Sequence, residues 1–283
     1  PLLPWNYPDP VTGLCLRSMR DYEHWLGAAE AGAGARAEFW RCGMEVRDAR
    51  DPDAALAWCA THDFPVERRG AALWLPAVAQ ARNPRLGATM KAAVLAAGGV
   101  LREHCAALGV EFESGSARRL ATEHGTLEFD RLVVTTGAWS GLGLPGLAPA
   151  PGVKPVRGQI LQFQLEPGTL DHIVYRDGTY LVPRQDGLVL VGSTLEDVGF
   201  DKHTDTATAA RLHARGVELL PALAGLTPVR HWAGLRPGAA DNLPLIDGHP
   251  EFADLYFNVG HFRYGVTMAP AAAAHLADLI EGR

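Results

Sequence analysis

Apolar residues recur at helical spacing in two stretches of the chain. Over residues 10–31 the apolar positions are Val11, Leu14, Met19, Tyr22, Trp25 and Leu26. Such spacing places them near one face of a helix. Residues 85–98, RLGATMKAAVLAAG, are rich in helix-forming residues and end in Gly98, a residue that commonly terminates helices. The pattern therefore predicts one helix in each stretch.

Other stretches carry the pattern of β-strands. Residues 127–136 (LEFDRLVVTT) predict a strand that runs into the turn GAWSG, and residues 159–165 (QILQFQL) predict another. Residues 179–194 predict a hairpin, because Asp186 and Gly187 are turn residues that tolerate positive φ between two β-rich segments. Alternation along its first strand predicts three residues on one face: Tyr180, Val182 and Arg184.

The order of these patterns predicts the fold class. Antiparallel strand patterns in the middle of the chain are flanked by βα patterns on both sides. This order is typical of an α/β (α+β) protein in which an antiparallel sheet is inserted into an α/β unit. We expect two interleaved domains, with the chain crossing between them several times.

Composition excludes several classes of function. The 283 residues are 47% hydrophobic, which is enough for a large core. A net charge of -6, from 32 acidic and 26 basic residues, predicts no nucleic-acid partner. The sequence has no apolar run of roughly 20 residues, and PLLPWNYPDP shows no signal-peptide pattern. We therefore expect no membrane partner and a cytoplasmic location.

The cysteine and histidine patterns predict no metal site. The four cysteines form no CxxC pattern and no cluster with histidine, so we expect reduced and mostly buried thiols. Five histidines lack the spacing of metal ligands on a helix face, namely His104, His172, His203, His213 and His275.

Arg236 is the charged residue of an otherwise apolar, glycine-rich and proline-rich stretch, HWAGLRPGAADNLPLIDG. An arginine in such surroundings needs an anionic partner, because an unpaired buried charge costs several kcal/mol. Two interpretations remain open. Arg236 forms a structural ion pair with an acid such as Asp241 or Asp247, or its guanidinium holds a ligand carboxylate by two parallel hydrogen bonds.

Arg263 lies in the stretch GHFRYGV, between a short apolar run and an alanine-rich segment. The apolar spacing that follows predicts a helix beginning near Thr267, with Pro270 in its first turn. The start of a helix offers N–H groups and a positive dipole end to a negative charge. Gly260 and Gly265 either allow a ligand close to the backbone or only form a strand-to-helix turn.

Several motifs, taken in order, resemble one family. They are PAVAQARNPRL, LVVTTGAWSG, VKPVRGQILQF, YLVPRQDGLVLVGSTLEDVGFD, WAGLRPGAADNLPLI and NVGHFRYGVTMAPAAAAHLADLI. Together they resemble the FAD-dependent glycine oxidases of thiamine biosynthesis, within the D-amino-acid oxidase superfamily. The resemblance covers essentially the whole chain. It implies a Rossmann-like FAD-binding domain of residues 1–35, 81–150 and 233–283, and a substrate-binding domain of residues 36–80 and 151–232.

The resemblance also implies roles for individual residues. Arg236 and Tyr180 match the residues that hold the substrate carboxylate, and Arg263 matches a second arginine of the active site. The backbone of residues 261–267 matches the turn and helix start that face the flavin pyrimidine ring. Positions that match cofactor contacts are Ala107, Thr136, Gly137, Trp139, Gly260, His261, Phe262, Arg263, Tyr264, Gly265, Val266 and Thr267.

The implied reaction is the oxidative deamination of glycine, and of small amino acids such as sarcosine or D-alanine. A hydride passes from the substrate Cα to FAD, which gives an imino acid, and dioxygen then reoxidises the flavin and yields hydrogen peroxide. The protein supplies orientation and electrostatics. Since no cysteine follows Cys105, the FAD is expected to be noncovalent. The family also implies a homo-oligomer, often a tetramer.

Two departures from the family pattern limit this inference. The family begins with a βαβ unit that carries a GxGxxG turn for the FAD diphosphate, whereas this sequence has neither. We therefore expect Pro1 to lie downstream of that unit. Gly178 replaces a family histidine two residues before the tyrosine. Two alternatives stay open: a related FAD-dependent D-amino-acid or N-methyl-amino-acid oxidase or dehydrogenase, and a noncatalytic remnant or binding module without FAD.

Overall fold

The computed structural model of the chain describes residues 8–113 and 116–283. The first seven residues, which make up most of the stretch PLLPWNYPDP, lie outside the described residues.

The described residues form five α-helices. They are α1 (Asp9–Ala33), α2 (Pro52–Thr61), α3 (Asn83–Ala96), α4 (Thr206–Leu219) and α5 (Gly265–Glu281). The helices predicted over residues 10–31 and 85–98 are confirmed by α1 and α3. Gly98 follows α3 with a φ of 83°, a conformation that glycine adopts without strain. Among these helices, none is long and apolar enough to cross a membrane.

The strands of the described residues belong to four sheets. In chain order they are β1 (Phe39–Trp40), β2 (Met44–Val46), β3 (Glu67–Arg69), β4 (Ala72–Leu75), β5 (Gln80–Ala81), β6 (Ala107–Glu113), β7 (Ser116–Thr122), β8 (Gly125–Glu128), β9 (Leu132–Val134), β10 (Val153–Gln164), β11 (Ile173–Arg176), β12 (Thr179–Pro183), β13 (Leu188–Gly192), β14 (Arg230–Ala239), β15 (Leu245–Gly248) and β16 (Leu255–Val259). The eight-stranded sheet has the order β14-β10-β13-β12-β11-β2-β4-β3. Two three-stranded sheets have the orders β15-β16-β9 and β6-β7-β8, and β1 pairs with β5. The predicted mixed α/β fold class is confirmed.

The hairpin predicted over residues 179–194 is confirmed by the antiparallel pair β12 and β13. Its turn differs in one respect, because only Gly187 has positive φ, at 82°. Asp186 acts through its carboxylate instead. The carboxylate accepts the Leu188 N–H at 3.3 Å and pairs with Arg82 at 2.7 Å.

The single strand predicted over residues 127–136 is wrong. β8 ends at Glu128 and pairs with β7, whereas β9 begins at Leu132 and pairs with β16 in another sheet. Between the two strands lie Asp130 and Arg131, which are both exposed. Two short strands in tandem gave one continuous pattern, because periodicity does not show to which sheet a strand belongs.

The described chain divides into two compact units. The first unit comprises Ala37–Leu86 and Arg157–Leu235, and the second comprises residues 8–36, Gly87–Val156 and Arg236–Arg283. The chain passes from one unit to the other within β10 and within β14.

Each unit has its own hydrophobic core. In the first unit, apolar residues of the large sheet pack against α4, and the buried members are Leu161, Phe163, Val174, Leu181, Val189, Val191, Leu212, Leu219 and Leu223. In the second unit the buried members of one cluster are Val110, Leu147, Ala150, Val153, Leu255, Phe257 and Val259. Cys15 and Cys59 are buried, Cys42 and Cys105 are partly buried, and all four thiols are free.

Helix α5 begins at Gly265, two residues before the predicted start near Thr267. As a result Pro270 lies inside the helix and not in its first turn, so its predicted position is wrong. Proline has no N–H, and in a regular helix the N–H at position 270 would bond the Val266 carbonyl. The Val266 carbonyl is therefore free to accept from another donor.

Two side chains of α1 bond the backbone of α5 around Pro270. The Tyr22 hydroxyl donates to the Val266 carbonyl at 3.0 Å. The Ser18 hydroxyl donates to the Met268 carbonyl at 3.1 Å and accepts the Ala271 N–H at 3.0 Å. Burial raises the pKa of Tyr22 to about 12, so its hydroxyl remains a donor at neutral pH. These bonds fix the first two turns of α5 to α1.

We expect Tyr22→Phe to lower the free energy of unfolding by about 0.5–1.5 kcal/mol, because the variant loses the partly buried hydrogen bond to the Val266 carbonyl. Urea unfolding measures the change. Tyr256→Phe is the matched control, since the Tyr256 hydroxyl makes no hydrogen bond to the described residues. If Tyr22→Phe costs no more than Tyr256→Phe, the Tyr22 bond does not stabilise the helix.

Candidate active site

Two parallel strands, β9 and β16, bring two predicted site segments to one edge of a sheet. Phe257 of β16 pairs with Val134 of β9. Parallel strands have their carboxyl ends at the same edge, and ligands of α/β proteins commonly bind there. The turn that contains Thr136, Gly137 and Trp139 follows β9, and residues 260–267 follow β16.

The turn after β9 leaves one aromatic side chain accessible. Residues Gly137–Trp139 form a 3-10 turn, and Gly137 has a φ of 57°. The hydroxyl groups of Thr136 and Ser140 are hydrogen bonded at 2.9 Å. Trp139 is 50% exposed, an unusual state for so large an apolar side chain.

The turn after β16 packs against the end of β14. Gly260 has a φ of 79°, and a Cβ at this residue would lie 3.5 Å from the Ala239 Cβ. Phe262 has a φ of 47°, and its N–H donates to the Pro237 carbonyl at 3.0 Å. Pro237 follows Arg236 directly, so the structure brings the Arg236 and Arg263 segments together within the second unit.

The positive charge of this turn comes from Arg263 and not from His261. Burial lowers the pKa of His261, so its imidazole is neutral at neutral pH. In the described part of the chain, no carboxylate forms an ion pair with Arg263. Tyr264 precedes α5 without a side-chain cap bond, and its N–H donates to the His261 carbonyl at 3.1 Å. The first turn of α5 thus keeps N–H groups for a ligand.

An unsatisfied acceptor lies close to the same edge. Asn258 precedes Gly260 by two residues, and its Oδ1 is buried without a hydrogen-bond partner among the described residues. Sequence analysis did not single out Asn258, because a lone polar residue in an apolar strand gives no pattern. The edge therefore offers N–H donors, a cation and a half-exposed indole. This set fits a flat polar ligand that accepts hydrogen bonds.

Tyr180 belongs to the first unit, whereas Arg236 and Arg263 belong to the second. It lies on β12, opposite Tyr175 on one side and Gly192 on the other. Leu181 and its buried neighbours face α4, so Tyr180 lies on the other face of the sheet.

Ala107 occupies a different sheet from the other predicted cofactor contacts. It begins β6 and pairs with Thr122 of β7. Its contact with a cofactor stays a prediction.

The segment after β13 is held by a buried arginine that sequence analysis did not assign. Arg157 is 8% exposed, and its Nε donates to the Glu196 carboxylate at 3.0 Å. Its Nη1 donates to Asp201 at 2.7 Å and to the His203 carbonyl at 2.9 Å. One side chain thus fixes both ends of residues 196–203.

Gln159 continues this network on the same strand. Its side-chain amide donates to Glu196 at 3.1 Å and to Asp205 at 3.2 Å, and its Oε1 lies 2.9 Å from His231 Nε2. Asp205 in turn accepts the Thr208 N–H at 2.7 Å and caps α4. The segment that follows Gly192 is therefore anchored to β10, β14 and α4 within the first unit.

The comparison with known families identifies the class of protein. Residues 12–279 match the family model described as FAD dependent oxidoreductase, and the chain belongs to that family. It is thus a member of an enzyme family for which FAD is the implied cofactor.

Comparison with individual proteins shows which members of this family the chain is similar to. The glycine oxidase of Pseudomonas putida is 40% identical over 300 residues, which span 100% of this chain and 82% of that protein. The bifunctional protein ThiO/ThiG of Synechocystis sp. is 29% identical over 96% of this chain and 43% of its own length. The crystal structure of glycine oxidase from Geobacillus kaustophilus shares the fold, with a TM-score of 0.88, 23% identity, and coverage of 98% of this chain and 80% of that one.

Asp205 makes the stability of the first unit depend on pH. The Thr208 N–H, followed by the Gln159 amide, lowers the pKa of Asp205 from 3.8 to about 2. Because the folded pKa is below the unfolded one, the contribution of Asp205 to stability is complete above pH 3.8 and is lost as pH falls through about 2.

Asp205→Asn keeps a cap acceptor but does not titrate. We expect wild type to be more stable than Asp205→Asn near neutral pH, with a difference that shrinks on acidification. Urea unfolding across this range measures it, and a constant difference would contradict the assignment.

Proposed function

We propose that the protein is a glycine oxidase that uses FAD to convert glycine and dioxygen into the imino acid and hydrogen peroxide. Support comes from 40% identity to the Pseudomonas putida glycine oxidase across the whole chain. The structural observation that carries the proposal is the hydrogen bond from the Phe262 N–H to the Pro237 carbonyl. It places the strand of Arg236 beside the turn of Arg263 and the start of α5.

Arg236 binds the substrate carboxylate in this proposal, and Tyr180 donates its hydroxyl to the same group. A guanidinium suits this role because it makes two parallel charge-assisted hydrogen bonds to a carboxylate. Fixing the carboxylate at two points orients the Cα of an amino acid that has no side chain to hold. Arg263 adds a second cation for the anionic substrate.

The start of α5 supplies the electrostatics on the cofactor side. When bound, FAD accepts the hydride from the substrate Cα and passes the electrons to dioxygen. The N–H groups of residues 265–267 and the positive end of the helix stabilise negative charge beside them. The other proposed contacts of FAD, all noncovalent, are Thr136, Gly137, Trp139, residues 260–264 and Ala107.

The proposal extends to the whole protein. The second unit takes the role of FAD-binding domain, since it carries both turns at the sheet edge, and the first unit takes the role of substrate-binding domain, since it carries Tyr180. Similarity to the Synechocystis protein ThiO/ThiG supports a place in thiamine biosynthesis. We further propose a cytoplasmic homo-oligomer, with four subunits as in many members of the family.

The first experiment uses protein expressed from its full open reading frame. Glycine, sarcosine and D-alanine are added separately without oxygen, and the visible absorbance of bound flavin is recorded. Fastest bleaching by glycine, with peroxide formed once air is admitted, supports the proposal. If sarcosine or D-alanine bleaches the flavin faster, that amino acid and not glycine is the preferred substrate. The absence of bound flavin would support a noncatalytic binding module.

We expect Arg236→Lys to raise the KM for glycine about 10-fold to 100-fold, because a lysine keeps the charge but loses one hydrogen bond to a charged group. Steady-state peroxide formation measures KM. Arg236→Ala should raise KM further.

Arg230→Lys is the matched control, since Arg230 is exposed on the same strand and lies over the Trp232 ring at 5.7 Å. If the Arg236 variants have the same KM as the Arg230 variant, Arg236 is not part of the site.

A further inference from the structure

Gly192 lies in a row of residues that crosses three neighbouring strands. It pairs with Tyr180 of β12 on one side and with Ile160 of β10 on the other. Residues directly opposite each other in antiparallel strands place their side chains on the same face. Leu161, Leu181 and Val191, the next residues along each strand, belong to the core against α4. The row therefore lies on the opposite face, with Gly192 as its one position without a side chain.

The Tyr180 ring fills the space that a side chain at residue 192 would occupy. A Cβ built on Gly192 would lie 2.7 Å from the Tyr180 Cζ and Oη and 2.8 Å from its Cε2. Carbon atoms do not approach so closely without a shift. Gly192 is not among the glycines with positive φ. The Tyr180 ring is what a side chain here would meet.

The neighbour on the other side of Tyr180 is itself bonded in place. Tyr175 pairs directly with Tyr180, and its hydroxyl accepts the Gly178 N–H at 3.0 Å. The Tyr180 ring thus has a bulky side chain on one flank and an open glycine on the other. Its hydroxyl lies directly above the Gly192 backbone.

We propose that Gly192 is a positioning residue that fixes the hydroxyl of Tyr180 by leaving space for its ring. The inference rests on the proposed role of Tyr180 in binding the substrate carboxylate. The three atoms nearest the added Cβ lie at the far end of the Tyr180 side chain. That end can rotate to another rotamer without moving the backbone. An added methyl group therefore displaces the hydroxyl while the sheet remains folded.

The test is Gly192→Ala in the FAD-loaded enzyme. We expect a KM for glycine raised about tenfold or more, matching Tyr180→Phe, since both variants lose one hydrogen bond to a charged group. Acetate, a carboxylate probe without an amine, should bind more weakly by the same factor when titrated against the visible spectrum of the flavin. The melting temperature should stay within a few degrees of wild type.

Gly248→Ala is the matched control. Gly248 is also a strand glycine opposite a tyrosine, Tyr256, but its added Cβ would lie 3.9 Å from that ring, an ordinary contact. This variant should keep the KM of wild type.

A double variant separates the inference from the proposed function. When Tyr180→Ala has removed the ring, adding Gly192→Ala should change KM no further, because the two substitutions act on one group. If Tyr180→Phe leaves KM unchanged, the proposed role of Tyr180 is wrong. If Tyr180→Phe raises KM but Gly192→Ala does not, or if Gly192→Ala unfolds the protein, the inference about Gly192 is overturned.

Discussion

Pro270 removes one backbone donor from the second turn of α5 and leaves the Val266 carbonyl for a donor from α1. The Tyr22 and Ser18 hydroxyls bond the backbone at Val266, Met268 and Ala271. Because these bonds fall in the first two turns, they set the position of the helix start relative to α1. The N–H groups of that first turn belong to the proposed flavin contact. The stability of the second unit and the geometry of its sheet edge thus depend on the same few bonds.

Local pattern predicted more of the fold than of its long-range contacts. The helices α1 and α3 and the hairpin of β12 and β13 follow from periodicity and turn residues, which act over a few positions. The break between β8 and β9 was missed because the two strands differ only in their partners, β7 and β16, which lie elsewhere in the chain. The apolar pattern predicts Pro270 in the first turn, whereas the helix begins two residues earlier than that pattern indicates.

The candidate site shows the same limit. The stretch GHFRYGV was singled out by its glycines and its charge, but its contact with Pro237 depends on tertiary packing. Ser18 and Tyr22 are four residues apart and share a helix face, a pattern that also fits any amphipathic helix. Arg157 could be identified as a buried cation only once Glu196 and Asp201 were seen around it. Gly192 gives no sequence signal, because only the Tyr180 ring distinguishes it from other strand glycines.

The electrostatics of the turn after β16 bear on how a carboxylate substrate would be held. His261 is neutral at neutral pH because its burial disfavours the cation. The remaining positive sources are Arg263 and the start of α5. Attraction for an anionic ligand therefore does not depend on the charge of His261. Under the proposed function, the amino group of the substrate loses its proton as pH rises. Loss of this proton makes the Cα a better hydride donor. It does not weaken the binding of the carboxylate.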